Sequence, residues 1–250
     1  MSVDASVDVQ LPGSGNDSAL DARSLNRTAH LAGILYLAMA VLDVLGYMYF
    51  PSLFTVPGNA AATVRNILDR ELLYRTSILT ALAAQIIFIL VALTLYHLFR
   101  DVDRQLARLM AVLVCVGVAG EMANIANKLT PLALLQADYV SVFSRAQLEA
   151  LALAALRWGN NLGQLLTLFW GLWLLPFGWL TIKSRFLPRI LGYLLLIAGC
   201  GYIVSCATFI VFPAQLPAIS KFLFPLYFGE LPIIFCLAIV GAKVRAAPTA

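Results

Sequence analysis

The chain has 250 residues, of which 61% are hydrophobic and only 12% charged, with a mean hydropathy of +0.87 and a formal net charge of +4. A water-soluble domain carries about 25% charged residues, so most of this surface is not built to face water. The same scarcity of charge excludes disorder for the bulk of the chain.

A helix needs about 20 largely apolar residues to cross the hydrocarbon core of a bilayer, and the sequence supplies that length repeatedly. Residues 1–27, rich in Ser, Asp, Asn and Gly, are expected to form a disordered polar tail. They lack the apolar stretch of about 7–15 residues that marks a signal peptide, so the first apolar run is expected to act as an uncleaved start of insertion. That run predicts a span over 28–50, interrupted only by Asp43. After a turn at Val56, Pro57, Gly58 and Asn59, a helix-like stretch from Ala60 to Tyr74 is expected on the outer surface. Further spans follow over 75–99, 106–128 (broken by Glu121), 150–182, 188–212 and 220–243 (broken by Glu230).

The boundary chemistry agrees. Ser144 and Gln147 have the spacing of a capping box, and Pro188 suits the first turn of a helix. The fourth helix is too long for a single crossing, because residues 145–182 make 38 residues, or about 57 Å at 1.5 Å per residue. Either it bends at Gly159 and Gly163, or residues 145–157 lie along the interface. The expectation is an all-α bundle of six transmembrane helices, residues 28–243, followed by a short tail at 244–250.

Lys and Arg concentrate in cytoplasmic loops. Ten of the 17 fall on the side that carries both termini (Arg23, Arg27, Arg100, Arg104, Arg108, Lys183, Arg185, Arg189, Lys243, Arg245) and seven on the other. Both termini are therefore expected in the cytoplasm, and the net charge reflects this bias and not a nucleic-acid partner. Arg100, Asp101, Asp103, Arg104 and Arg108 read as a solvated loop. The four cysteines (Cys115, Cys200, Cys206, Cys236) and two histidines (His30, His97) are scattered. Zinc sites need clustered ligands, so no metal or other cofactor is expected.

A charged side chain near the bilayer centre costs roughly 2.5–3.5 kcal/mol on insertion scales, so each one inside a span needs a reason. Asp43 and Glu121 each lie about 22 Å from the inner end of their helices at 1.5 Å per residue, while Glu230 and Gln85 lie at a similar depth from outside. Arg157, Asn160, Asn161 and Gln164 fall at i, i+3, i+4 and i+7, one stripe of a helix. Glu121, Asn124 and Lys128 form a second stripe. Tyr36 and Tyr47 flank Asp43 on one face, Tyr227 precedes Glu230 by a turn, and Tyr202 marks the fifth helix. Pro225, Gly229 and Pro232 loosen the backbone around Glu230, which is tolerated in a membrane where the helix lines a cavity.

This pattern predicts one polar pocket in the middle-to-outer half of the bilayer. Asp43, Glu121 and Glu230 are its candidate acids. Arg157, Asn160, Asn161, Gln164, Asn124, Lys128, Gln85, Tyr47, Tyr202 and Tyr227 are its candidate binding residues. The simpler alternative is a structural lock, with Glu121 paired to Arg157 and Asp43 to Lys128. Three acids against two bases still leave one carboxyl without a counter-charge, which suits it to donate or carry a proton. The aromatic string Phe169, Trp170, Trp173, Phe177 and Trp179 reads as lipid-facing or interfacial anchoring.

Four segments, VPGNAAA at 56–62, ADYVSVFSRAQLEAL at 137–151, FWGLWLLPFG at 169–178 and FLPRILG at 186–192, resemble the bacterial family called domain of unknown function 4386. The resemblance spans roughly residues 28–243. It implies a multi-pass protein of the bacterial inner membrane and brings no catalytic residues. The residues themselves favour binding, or acid–base chemistry such as acid-initiated cyclisation, on an amphipathic lipid or isoprenoid-like molecule. A proton-coupled transporter is the second expectation, weakened because the two halves show no clear repeat. A membrane scaffold or sensor without a small ligand is the third.

Overall fold

The computed structural model describes residues 14–136 and 142–242. All the regular structure among them is helical, and six segments are long and apolar enough to cross a membrane. The first span is α1 (Ser14–Val44), which passes through a π-helical turn at Leu45–Tyr49 into α2 (Phe50–Phe54). Since α1 begins at Ser14, residues 14–27 of the expected polar tail are helical, while residues 1–13 and the expected tail at 244–250 lie outside the described residues.

The expected turn follows, with Gly58 at φ +76° and the Asn59 side chain accepting from the Ala62 N–H at 2.9 Å to cap α3 (Ala60–Asp69). This helix ends five residues earlier than expected, and the second span, α4 (Glu71–Phe99), starts at once. The third span is α5 (Arg104–Asn127), followed by the short α6 (Thr130–Gln136). The Ser144–Gln147 capping box is formed at the head of α7 (Arg145–Leu172), which with α8 (Leu174–Lys183) makes the fourth span. The fifth is α9 (Arg189–Val211), whose N-cap is Pro188, one position before the first turn where it was expected. The sixth joins α10 (Leu216–Tyr227), a tight turn at Phe228–Glu230, α11 (Leu231–Phe235) and a second π-helical turn at Cys236–Val240.

The long fourth span is not broken at Gly159 or Gly163; α7 continues as helix through both. The break falls at Trp173, where Pro176 has no N–H to offer the Leu172 carbonyl four residues back. Residues 145–157 belong to α7, which packs against α3 and α6.

The spans pack in cyclic order, each against its neighbours in sequence, and the ring closes where α11 and the last π-helical turn meet α1. There Gly33 permits backbone contact, since a Cβ on it would lie 2.1 Å from the Ala238 nitrogen. The Asn26 side chain accepts from the Ala242 N–H at 3.0 Å, so the first and last spans end at the same face, called here the terminal face. At that face Lys183 bonds Asp103 at 3.0 Å, and Asp103 also caps α5 through the Leu106 N–H, so the loop expected to be merely solvated is tied down.

The outside is apolar: Leu79, Val112, Ile190 and Ile239 are each more than half exposed, as lipid-facing residues must be. Inside, the terminal half is filled by aromatic side chains. Trp173 stacks on Phe177 at 5.4 Å, and Phe88, Phe99 and Tyr36 close round them. Of the expected aromatic anchor string, Trp173 and Phe177 are buried in the core, Phe169 and Trp170 are half-buried and Trp179 is exposed.

Candidate binding cavity

The distal half of the ring is not filled. A cavity of about 780 Å³ lies between the first four spans and α3, and Tyr202 of α9 also lines it. Its rim is the 55–59 loop and Lys128, and its floor is Trp170 with Tyr202. The rim is fixed by Thr63, whose Oγ1 accepts from the Val56 N–H and donates to the Asn59 carbonyl, both at 3.0 Å.

Nine expected site residues line this one space: Tyr47, Glu121, Asn124, Lys128, Arg157, Asn160, Asn161, Gln164 and Tyr202. Local structure explains how they reach it. The π-helical turn adds a residue to one coil of the first span and carries Tyr47, whose hydroxyl donates to Glu121 Oε1 at 2.5 Å. Asn124 Nδ2 donates to the same oxygen at 3.2 Å. Gly159 lets α7 come close to this pair, because a Cβ there would meet Asn127 Nδ2 at 3.0 Å and Asn124 Oδ1 at 3.1 Å. Asn127 completes the junction by donating to the Ala155 carbonyl at 2.8 Å.

The remaining expected residues lie beside the cavity and not on its wall. Glu230 accepts from the Tyr36 hydroxyl and is faced by the Tyr202 hydroxyl, while Tyr227 stacks on Tyr202 at 4.4 Å. Asp43 is half-buried within electrostatic reach of both other acids, and its Oδ1 is enclosed without a hydrogen-bond partner. Gln85 is buried in α4. The two tyrosines expected to flank Asp43 thus serve acids on other helices.

Neither expected ion pair forms. The ion pairs among the described residues are Arg75–Glu71, Arg100–Asp101, Arg145–Glu149 and Lys183–Asp103, all at span ends. Lys128 instead holds its Nζ 5.6 Å from the centroid of the Tyr47 ring. Glu121 and Glu230 are held by tyrosine and asparagine donors, which leaves Lys128 and Arg157 available to the cavity.

Sequence spacing missed Trp170, Thr167 and Asn127. Trp170 meets the Tyr47 ring edge-on at 5.6 Å on the cavity wall. Continuing the Arg157–Gln164 stripe by further turns reaches Thr167 and then Trp170, so the signal was present.

An all-helical ring of six apolar spans defines a multi-pass membrane protein. The family model described as "Domain of unknown function (DUF4386)" matches residues 31–241, and the chain belongs to that family. An uncharacterized protein of Archaeoglobus fulgidus is 28% identical over 159 residues, covering 64% of this chain and 80% of its own length. No solved structure matches.

Proposed function

We propose that this protein receives an amphipathic molecule, of lipid or isoprenoid-like character, in the distal cavity, and binds it or acts on it by acid–base chemistry. The carrying observation is the cavity itself: about 780 Å³, lined both by Phe54, Ile67, Leu153 and Leu156 and by Glu121, Asn124 and the α7 carboxamides. Small-molecule sites have this size and this mixture of apolar wall and few polar groups. In the catalytic form, Glu121 at the cavity, backed by Asp43 and Glu230, is the proton donor. The excess of Lys and Arg on the terminal face supports cytoplasmic termini, so the cavity faces the opposite side of the cell membrane.

The test is native mass spectrometry of protein purified in mild detergent, beside a Thr167→Trp variant that fills the floor. The wild type is expected to carry an amphiphile that the variant, with an equal melting temperature, lacks. Bare protein in both spectra, with no lipid added back able to raise the wild-type melting temperature, overturns the proposal.

One observation favours a transporter as the second reading. Tyr202 lines the cavity and faces Glu230, which in turn bonds Tyr36, so polar groups continue inward from the cavity floor. Proton-gradient-driven uptake into proteoliposomes, lost in Asp43→Asn, would select that reading.

A further inference from the structure

Lys128 and Arg157 both line the cavity, and neither takes part in an ion pair among the described residues. A cation within a membrane span is ordinarily paired, or it marks the path of a ligand. The helices bring these two to one level. Asn127 Nδ2 donates to the Ala155 carbonyl at 2.8 Å and ties the end of α5 to α7; Lys128 follows Asn127 directly, and Arg157 is the second residue after Ala155. The Tyr74 hydroxyl donates to the Lys128 carbonyl at 2.8 Å, and the Lys128 Nζ stands 5.6 Å from the centroid of the Tyr47 ring, itself on the cavity wall. Both cationic heads are open to a ligand. Arg157 is exposed, and the Lys128 Nζ, which has no hydrogen bond among the described residues, is not enclosed as Glu121 Oε2 and Asn124 Oδ1 are.

Glu121 is the one acid lining the cavity among the described residues, and it forms an ion pair with neither cation. Tyr47 and Asn124 donate to its Oε1, and its Oε2 is shut off from the space. Two like charges on one low-dielectric cavity repel, and an anion between them removes that repulsion. Ammonium and guanidinium are donors only, so the complement is an oxyanion, the terminal group of a phosphate or a carboxylate, which accepts charge-assisted hydrogen bonds from both. Asn160 and Asn161, on the next turn of the same helix face, line the cavity too and bring amide N–H donors. We propose that the cavity takes an amphiphile with an oxyanion head, seated between Lys128 and Arg157. A neutral head leaves both charges uncompensated, and a cationic head adds a third. The inference rests on the cavity being a binding site for an amphiphile and adds the charge of the head group and the residues that seat it.

The experiment is calorimetric titration of the delipidated full-length protein in a non-ionic detergent with decyl phosphate, decanoate, decanol and inorganic phosphate. Each of the two decyl-chain anions is expected to bind at least about tenfold more tightly than decanol, the factor that one hydrogen bond to a charged group supplies. Arg157→Gln and Lys128→Gln are each expected to weaken both anions by about the same factor. Unchanged decanol affinity in these variants shows that the cavity itself is intact. Arg145→Gln removes the same charge from the same helix but outside the cavity lining, and is expected to change nothing. Inorganic phosphate, without a chain, is expected to bind at least about tenfold more weakly than decyl phosphate, since it leaves the apolar wall uncovered. Decanol matching the anions, anion affinities unaltered in both cavity variants, or an equal loss in Arg145→Gln overturns this inference and leaves the amphiphile cavity standing. Inorganic phosphate matching decyl phosphate overturns the amphiphile reading and leaves the oxyanion seat. Failure of every probe overturns both.

Discussion

The fourth and fifth spans meet through glycines, and that contact gives a sharp test of the packing. A Cβ built on Gly192 lies 2.5 Å from the Gly178 carbonyl oxygen and 2.5 Å from Ile182 Cγ1, whereas one built on Gly201, in the same helix, meets nothing nearer than 3.5 Å. Gly192→Ala therefore forces the helices apart by about 0.9 Å to restore ordinary contact, an overpacking that costs about 1–3 kcal/mol. Both substitutions gain about 1 kcal/mol of helix propensity, so the difference between the two variants isolates the clash. At about 2–4 °C per kcal/mol for a chain of this size, Gly192→Ala is expected to melt about 2–12 °C below Gly201→Ala. Thermal unfolding of both variants in one detergent, followed by far-ultraviolet circular dichroism, reads the difference. A Gly192→Ala melting temperature equal to or above that of Gly201→Ala refutes the close helix approach.

Three other outcomes follow from single groups. Tyr47→Phe removes one of two donors to Glu121 Oε1 and is expected to cost about 1–3 kcal/mol, measurable as a lower melting temperature; a wild-type melt would show that the bond carries no weight. Ser144→Ala breaks the capping box of α7 at about 1 kcal/mol, and faster hydrogen exchange at the amides of residues 146–148 is the expected sign. Asp103 is held below the ordinary carboxylate range first by the Leu106 N–H and then by Lys183. Its contribution to stability is thus fully present above about pH 4, near the unfolded value, and is lost as pH falls through the lower folded value. Acid unfolding curves of the wild type and Asp103→Asn should converge as pH drops through that window, and parallel curves would contradict the assignment.

The six spans were legible because a bilayer makes composition decisive: about 20 uncharged residues have few other uses. The polar stripes were legible for a related reason, since Glu121, Asn124 and Arg157 through Gln164 stand out against an apolar background at helical spacing. Partners were not legible. Opposite charges suggested Glu121 with Arg157, yet Tyr47 reaches Glu121 because a π-helical turn shifts its register, and nothing in the residue types from Leu45 to Tyr49 announces that extra residue. The break at Trp173 was readable from Pro176, whereas the close approach that Gly159 and Gly163 give to Asn124 and Asn127 was not. Trp173 and Phe177 look like membrane anchors from composition alone, and only the closure of the ring turns them inward.

That inward aromatic stack has a thermodynamic consequence. On the proposed reading, with Trp173, Phe177, Phe88 and Phe99 packed together outside the cavity lining, the cavity is a blind pit, and its occupancy answers to the chemical potential of a solute in one leaflet or compartment alone. Such a vessel can report or retain what it holds without dissipating a gradient. Any cycle that delivered cargo through it would first have to part four interlocked rings, so the stack sets the barrier that separates a receptor from a conduit.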